Sequence, residues 1–209
     1  TVPTPIYRND ASLLNGNKQL AATASGGVGM SLDMTYFQDA DGRSYYAWQQ
    51  LGATYIATMD PKDPAHVTSS PVRIVTPEYA WNAAIAEGPN VTLRDGKLYL
   101  MFSGSGVGKT YTTGLAVADA SGTDLTDPAS WTVLNYPIQK SGPFNGEMQL
   151  GTGHGMWSED EDGNQIYVFH AYATKNLGSV NAAGRDMFVR RVHWAADGMP
   201  VFDMSSSEE

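Results

Sequence analysis

The chain has 209 residues, no cysteine, and 13 basic against 22 acidic side chains, for a formal net charge of −9. Disulfide frameworks and thiolate chemistry are excluded. A field of that sign repels phosphate backbones and anionic lipid, so neither nucleic acid nor membrane is an expected partner. With 22 Gly, 11 Pro, 5 Trp, 11 Tyr and 6 Phe and only 17% charged residues, the composition predicts a turn-rich β protein with a sugar-friendly surface.

In chain order, β-rich runs fall at 34–37, 44–48, 55–59, 72–75, 90–93, 97–102, 115–118 and 166–171, with a closing run at 187–194. The hairpin dipeptides Asp41-Gly42, Asp95-Gly96, Asp162-Gly163 and Asp197-Gly198 punctuate them. One stretch, 124–131, has a helical turn's length, but Asp127-Pro128 inside it reads as a loop. The fold class is all-β.

The first three turns head a repeat. MTYFQDADGRSYYAW, NVTLRDGKLYLMF and GMWSEDEDGNQIYVFHAY each read as strand, acidic Asp-Gly turn, then a strand with an early aromatic: Tyr45 and Tyr46, Tyr99, Tyr167. The turns stand at 41, 95 and 162. A spacing of roughly 50 to 70 residues is what four short strands and their loops need, which is one propeller blade. Three blades are expected, as a single partial domain over 1–209 with a frayed tail at 205–209.

The inner strand of a blade lines the central channel, so polar residues at its start converge there. Three such anchors precede the turns: Asp33 in SLDMTYF, Glu87 in AEGPNV and His154 in GTGHGMW. An unpaired buried carboxylate is costly, so these are paired, solvated or functional. Two carboxylates in one cleft suit glycoside hydrolysis, one protonating the leaving oxygen while the other acts as base or tunes its neighbour. Blander readings stand beside each. Asp33 caps a turn or bridges to an arginine, Glu87 is a solvated carboxylate leading into Gly-Pro, and His154 is a hydrogen-bonded core histidine or reaches a metal or water.

Together SLDMTYFQDADGRSYYAW, EGPNVTLRDGKLYLMFSGSG and GTGHGMWSEDEDGNQIYVFHAY resemble the last three blades of glycoside hydrolase family 43, over roughly 31–204. YTTGLAVADASGTDLTDPASW and YPIQKS resemble a linking stretch of its arabinofuranosidase branch, and GRDMFVRRVHWAADGMP its closing strands. The resemblance implies a five-bladed propeller and an exo-acting α-L-arabinofuranosidase or β-xylosidase, with a plant-derived oligosaccharide or polysaccharide as substrate and inversion as mechanism. It implies Glu87 as general acid, which must carry its proton near neutral pH. Asp33 is implied as the residue that modulates and orients that acid. His154 is implied as the channel histidine that contacts sugar, or a structural calcium ion or its waters; no other cofactor is implied. Arg185 is implied as a pocket arginine hydrogen-bonding a sugar hydroxyl; taken alone, it pairs equally well with Asp186. Trp81, six residues before Glu87, is the expected pocket wall, with blade core as its other reading, as for Trp48 and Trp157.

One departure from the family is large. The general base belongs to the first blade, and Asp10, 23 residues before Asp33, is too close to be it. Two blades are therefore expected to be absent from a chain that opens on Thr1, with an oligomer or a complex with those N-terminal blades supplying the base. Open sheet edges and apolar faces drive such association. The rival classes are a non-catalytic carbohydrate-binding propeller and an assembly subunit without the base. SGSGVGK at 103–109 lacks the spacing of a phosphate loop, and Ser103 and Ser105 have no triad pattern. His66, His170 and His193 are scattered, so no zinc site is expected, and His170 reads as structural. No apolar run approaches the ~18 residues of a membrane span. An absence of cysteine suits the cytoplasm and the exterior equally.

Overall fold

The computed structural model describes residues 31–173 and 184–208, which excludes Asp10. Within each sheet, neighbouring strands pair antiparallel. β1 (Ser31–Gln38), β2 (Ser44–Gln50), β3 (Ala53–Asp60) and β4 (Asp63–Val67) form the first sheet in that order, and β5 (Val72–Val75) also pairs with β3. The second sheet runs β6 (Ala86–Arg94), β7 (Lys97–Gly104), β8 (Thr112–Asp119), β9 (Thr132–Val133). The third runs β10 (Gly142–Phe144), β11 (Glu147–Glu159), β12 (Gln165–Tyr172), β13 (Asp186–Arg191). A small hairpin, β14 (His193–Trp194) and β15 (Pro200–Val201), turns at Asp197-Gly198. The all-β fold built from antiparallel propeller blades is what the structure has.

The repeated acidic turns link the first two strands of the first and second sheets, and β11 to β12 in the third. The extra aspartate two residues ahead of Asp-Gly has a physical purpose. Asp39 is buried, and its carboxylate accepts from the Asp41 and Arg43 N–H groups, from Arg43 Nε at 2.7 Å and from the Tyr45 hydroxyl. Asp160 repeats the pattern on the Asp162 and Asn164 N–H groups. Each carboxylate satisfies turn donors that have no strand partner, which holds the hairpin's register.

The sheets stack face to face. Phe37, Tyr45 and Ile56 of the first sheet meet Leu98, Leu100, Phe102 and Ala116 of the second. From β7's other face, Met101 meets Tyr167, Phe169 and Ala171 of the third sheet, with Phe202. Because β7 is covered on both faces, its sequence LYLMF is a continuous apolar run rather than an alternating one. The outer sheets differ. Met34 and Tyr36 on β1, and Met156, Met187 and Val189 on β11 and β13, are exposed, Met187 at 75%.

Three local differences from the sequence reading have simple causes. The closing strand breaks at Val192, whose N–H returns to Gln165 O while β14 leaves to pair with β15. Residues 128–130 form one 3-10 turn, because the Asp127 carboxylate caps the Ala129 N–H. Ser205–Glu208, expected to fray, closes a turn through Ser205 N and Glu208 Oε2, and Ser206 N reaches Asn145 Oδ1.

Candidate active site

The inner strands β1, β6 and β11 lie side by side, and each carries a β-bulge at the same place. In β1 the ladder skips between Leu32 and Thr35, in β6 between Glu87 and Asn90, and in β11 between Gly153 and Met156. The first extra residue is left-handed each time: Asp33 at φ 59°, Gly88 at 59°, His154 at 49°. A side chain in that region costs on the order of 1 kcal/mol or more, and such strain concentrates at functional sites. Bulges re-aim side chains, and here they turn three inner strands toward one another.

The three anchors therefore do converge, with one adjustment to the repeat. Asp33 and His154 are structural equivalents; the matching residue in β6 is Gly88, and Glu87 stands one position earlier. That offset is what lets the bulges interlock. Asp33 Oδ2 accepts the Gly88 N–H at 3.1 Å. The His154 ring lies against Gly88, where a Cβ would come within 3.2 Å of it, so a side chain here would combine a strained φ with a tight contact to the ring. His154 Nε2 stands 3.8 Å from Asp33 Oδ1, and its backbone N–H is held by Ser103 Oγ at 2.7 Å.

Tyr111, just before β8, connects the set. Its hydroxyl lies 2.5 Å from Glu87 Oε1 and 3.1 Å from His154 Nδ1. A phenol has one hydrogen. Donated to Glu87, it leaves the phenol oxygen to accept from His154 Nδ1–H, which assigns that tautomer. Burial, and next the Glu87 carboxylate, push the Tyr111 phenol well above its usual range, so it stays a neutral donor. Its ring lies across β11 at Gly153, where a Cβ would meet it at 2.5 Å. On another side it stacks on His170 at 5.4 Å between centroids.

His170 brings in Arg185, whose Nη1 donates to its Nε2 at 2.6 Å. Burial first, then the Arg185 and His154 charges, lower His170 to about 4, so the imidazole is neutral at pH 7. Beside this pair opens a cavity of about 380 Å³, lined by His154, Arg185, Asp186 and an apolar wall of Met156, Val168 and Met187. Two carboxylates, two imidazoles, a phenol and a guanidinium thus stand in one linked group, with polar donors at the edge of a cleft. That is a constellation able to hold a polyol and pass a proton to it.

Of the residues expected from sequence, Asp33, Glu87 and His154 come together and Arg185 joins through His170. Trp81 sits elsewhere. Its indole covers Gly104 and Gly114, stacks on Phe102 and donates Nε1–H to Asn135 O at 3.1 Å, so it packs on the face of the second sheet. Among the described residues no group of three or more His, Asp or Glu side chains is gathered as a metal site. Calcium takes six to eight oxygens, whereas among the described residues the one carboxylate oxygen within ion-pair reach of His154 Nε2 is Asp33 Oδ1. Sequence reasoning missed Tyr111 altogether and treated His170 as structural. The trace of Tyr111 in the sequence was Gly153, a vacancy in a strand that its ring fills.

The sequence profile described as glycosyl hydrolases family 43 matches residues 17–200. The chain belongs to glycoside hydrolase family 43. Within the family it is similar to the extracellular exo-α-(1→5)-L-arabinofuranosidase of Streptomyces avermitilis, 32% identical over 185 residues. The α-L-arabinofuranosidase 43 of Humicola insolens is also 32% identical, over 186 residues. In both cases the match takes in 82% of this chain but 37% of the relative, so this family 43 chain spans well under half of either protein. The crystal structure of the α-L-arabinofuranosidase from Lactobacillus brevis superposes with a TM-score of 0.73 at 28% identity, covering 85% of this chain and 58% of that one.

Proposed function

We propose that the chain is the acid-bearing part of a glycoside hydrolase that removes terminal α-L-arabinofuranosyl or β-D-xylosyl residues from plant polysaccharide or oligosaccharides with inversion. The observation that carries this reading is the joining of Glu87, Asp33 and His154 across the interlocked bulges of three inner strands. Family membership and the arabinofuranosidase names of its relatives support it.

In this reading Glu87 protonates the glycosidic oxygen as its bond to the anomeric carbon breaks. Asp33, tied to Gly88 N next to Glu87, sets the local charge and the strand's position. His154 and Arg185 are hydrogen-bond partners for sugar hydroxyls at the cavity. A carboxylate base on the opposite face of the sugar activates water, the two groups of an inverting pair standing about 6.5–9.5 Å apart. In this reading that base is a carboxylate outside the hydrogen-bonded cluster of described residues, carried by further propeller blades. The partner surface for those blades is the exposed face with Met156, Met187 and Val189. Were a structural calcium ion to bind near His154, the imidazole would contact the ion or its waters, and none of these steps runs through it.

Glu87→Gln is the test. It keeps the side chain's size and removes the transferable proton, so hydrolysis of p-nitrophenyl α-L-arabinofuranoside and β-D-xyloside should fall by about 10²- to 10⁴-fold while arabinose or xylose binding persists. Undiminished hydrolysis would rule the assignment out.

A further inference from the structure

The reading of Glu87 as the acid leaves open which of its two oxygens carries the proton and what holds the carboxyl still. The geometry points to Tyr111 as the positioning residue of that acid: its hydroxyl donates to Glu87 Oε1 and so leaves Oε2 as the oxygen that delivers the proton. This inference rests on the proposed role of Glu87.

A protonated carboxyl has one oxygen that donates and one that best accepts. Oε1 is already accepting from Tyr111 at 2.5 Å, so the transferable hydrogen belongs on Oε2. As Oε2 gives its proton to the glycosidic oxygen, the bond from that oxygen to the anomeric carbon breaks and its electron pair stays on oxygen. The carboxylate left behind keeps the Tyr111 O–H, now a charge-assisted hydrogen bond and stronger than before. Tyr111 loses no proton at any stage. It favours the state that follows proton transfer over the one that precedes it, which is what speeds a chemical step.

The Tyr111 phenol is held on several sides. Tyr111 is fully buried, its ring fills the space that Gly153 leaves open, and it stacks on His170 with the ring planes 10° apart. Its own N–H returns to Gly108 O at 3.2 Å, and its oxygen has His154 Nδ1 as second partner. Ser103, paired with Glu87 across β6 and β7, fixes the His154 backbone, so the acid and both hydroxyl neighbours belong to one rigid frame. Holding a reacting group in place is worth large factors in rate, and a small misplacement costs about 10²-fold.

Tyr111→Phe removes only the hydroxyl and keeps the ring. With glutamate labelled at 13Cδ, the Glu87 carboxyl resonance, identified by its loss in Glu87→Gln, should shift in Tyr111→Phe while the other glutamates stay in place. In turnover, glycosides with a poor leaving group, such as an arabinose disaccharide, should lose about 10- to 100-fold in kcat with KM unchanged. A dinitrophenyl arabinofuranoside, whose leaving group needs no proton, should keep its rate to within about threefold. Equal losses on both substrates would mark Tyr111 as merely structural and overturn the inference. So would an unmoved carboxyl resonance, whatever the turnover. A wild-type protein that cleaves neither substrate overturns the role of Glu87 instead, and the resonance still reports on Tyr111.

Discussion

At the scale of single residues, the site is a set of side chains that depend on the absence of others. Gly88 and Gly153 carry no Cβ, and the rings of His154 and Tyr111 occupy the space so released. Gly153→Ala should displace the Tyr111 ring and destabilise the protein by about 1–3 kcal/mol, read from urea unfolding, because the added methyl has no room. His170 gives a pH signature. Its folded value of about 4 lies below the ordinary 6.5, so the unfolded chain binds the extra proton between those values. Stability should therefore be full above pH 6.5 and decline as the pH falls toward 4. In His170→Gln that part of the decline should vanish, as followed by the urea midpoint across the range. The groups facing His170 are Arg185, His154 and Tyr111; burial first, and then the Arg185 charge, oppose its protonation, which fixes the sign.

At the scale of elements, what was legible in the sequence was whatever local chemistry dictates. The Asp-Gly turns, the aromatic strands that follow them and the repeat itself all depend on neighbours in sequence, and the structure has them as read. β11 was harder. Its glycine-lined GTGHG run offers few of the side chains by which a strand is usually read, because this strand is shaped by those it accepts from Tyr111 and β12. Tyr111 was invisible for the same reason: nothing near it in sequence announces a hydroxyl that meets Glu87 across 24 positions. Asp33, Glu87 and His154 were legible as polar residues in apolar strands; the one-residue offset of Glu87 was not, since a bulge is a property of paired strands. Trp81 shows a different limit, for an aromatic close to the acid in sequence reads as a pocket wall until its ring is seen on Gly104 and Gly114. Trp81→Ala should accordingly cost about 3 kcal/mol of stability in denaturant titration. Sugar affinity, corrected for the folded fraction, should stay unchanged.

At the scale of the whole molecule, three stacked sheets bury the middle one on both faces and leave apolar side chains on the outer two. The third sheet's outer face runs through the cross-strand set Met156, Val168 and Val189, with Met187 beside it. A face of that kind adjoining the His154 and Arg185 cavity is where a further blade would both cover apolar surface and bring a base to the sugar. Met187→Asp should then weaken association, giving a native mass near the 22.5 kDa of one chain by light scattering where the wild type is larger.

The most direct experiment on the role of Glu87 and its cluster is hydrolysis of p-nitrophenyl α-L-arabinofuranoside by wild type and Glu87→Gln side by side, with the native mass of each preparation measured. The expected result is sugar release by an associated wild-type species, and release at least about 100-fold slower from Glu87→Gln of the same mass and fold. Equal rates from the two proteins, or no release by wild type in any state of association, would contradict it.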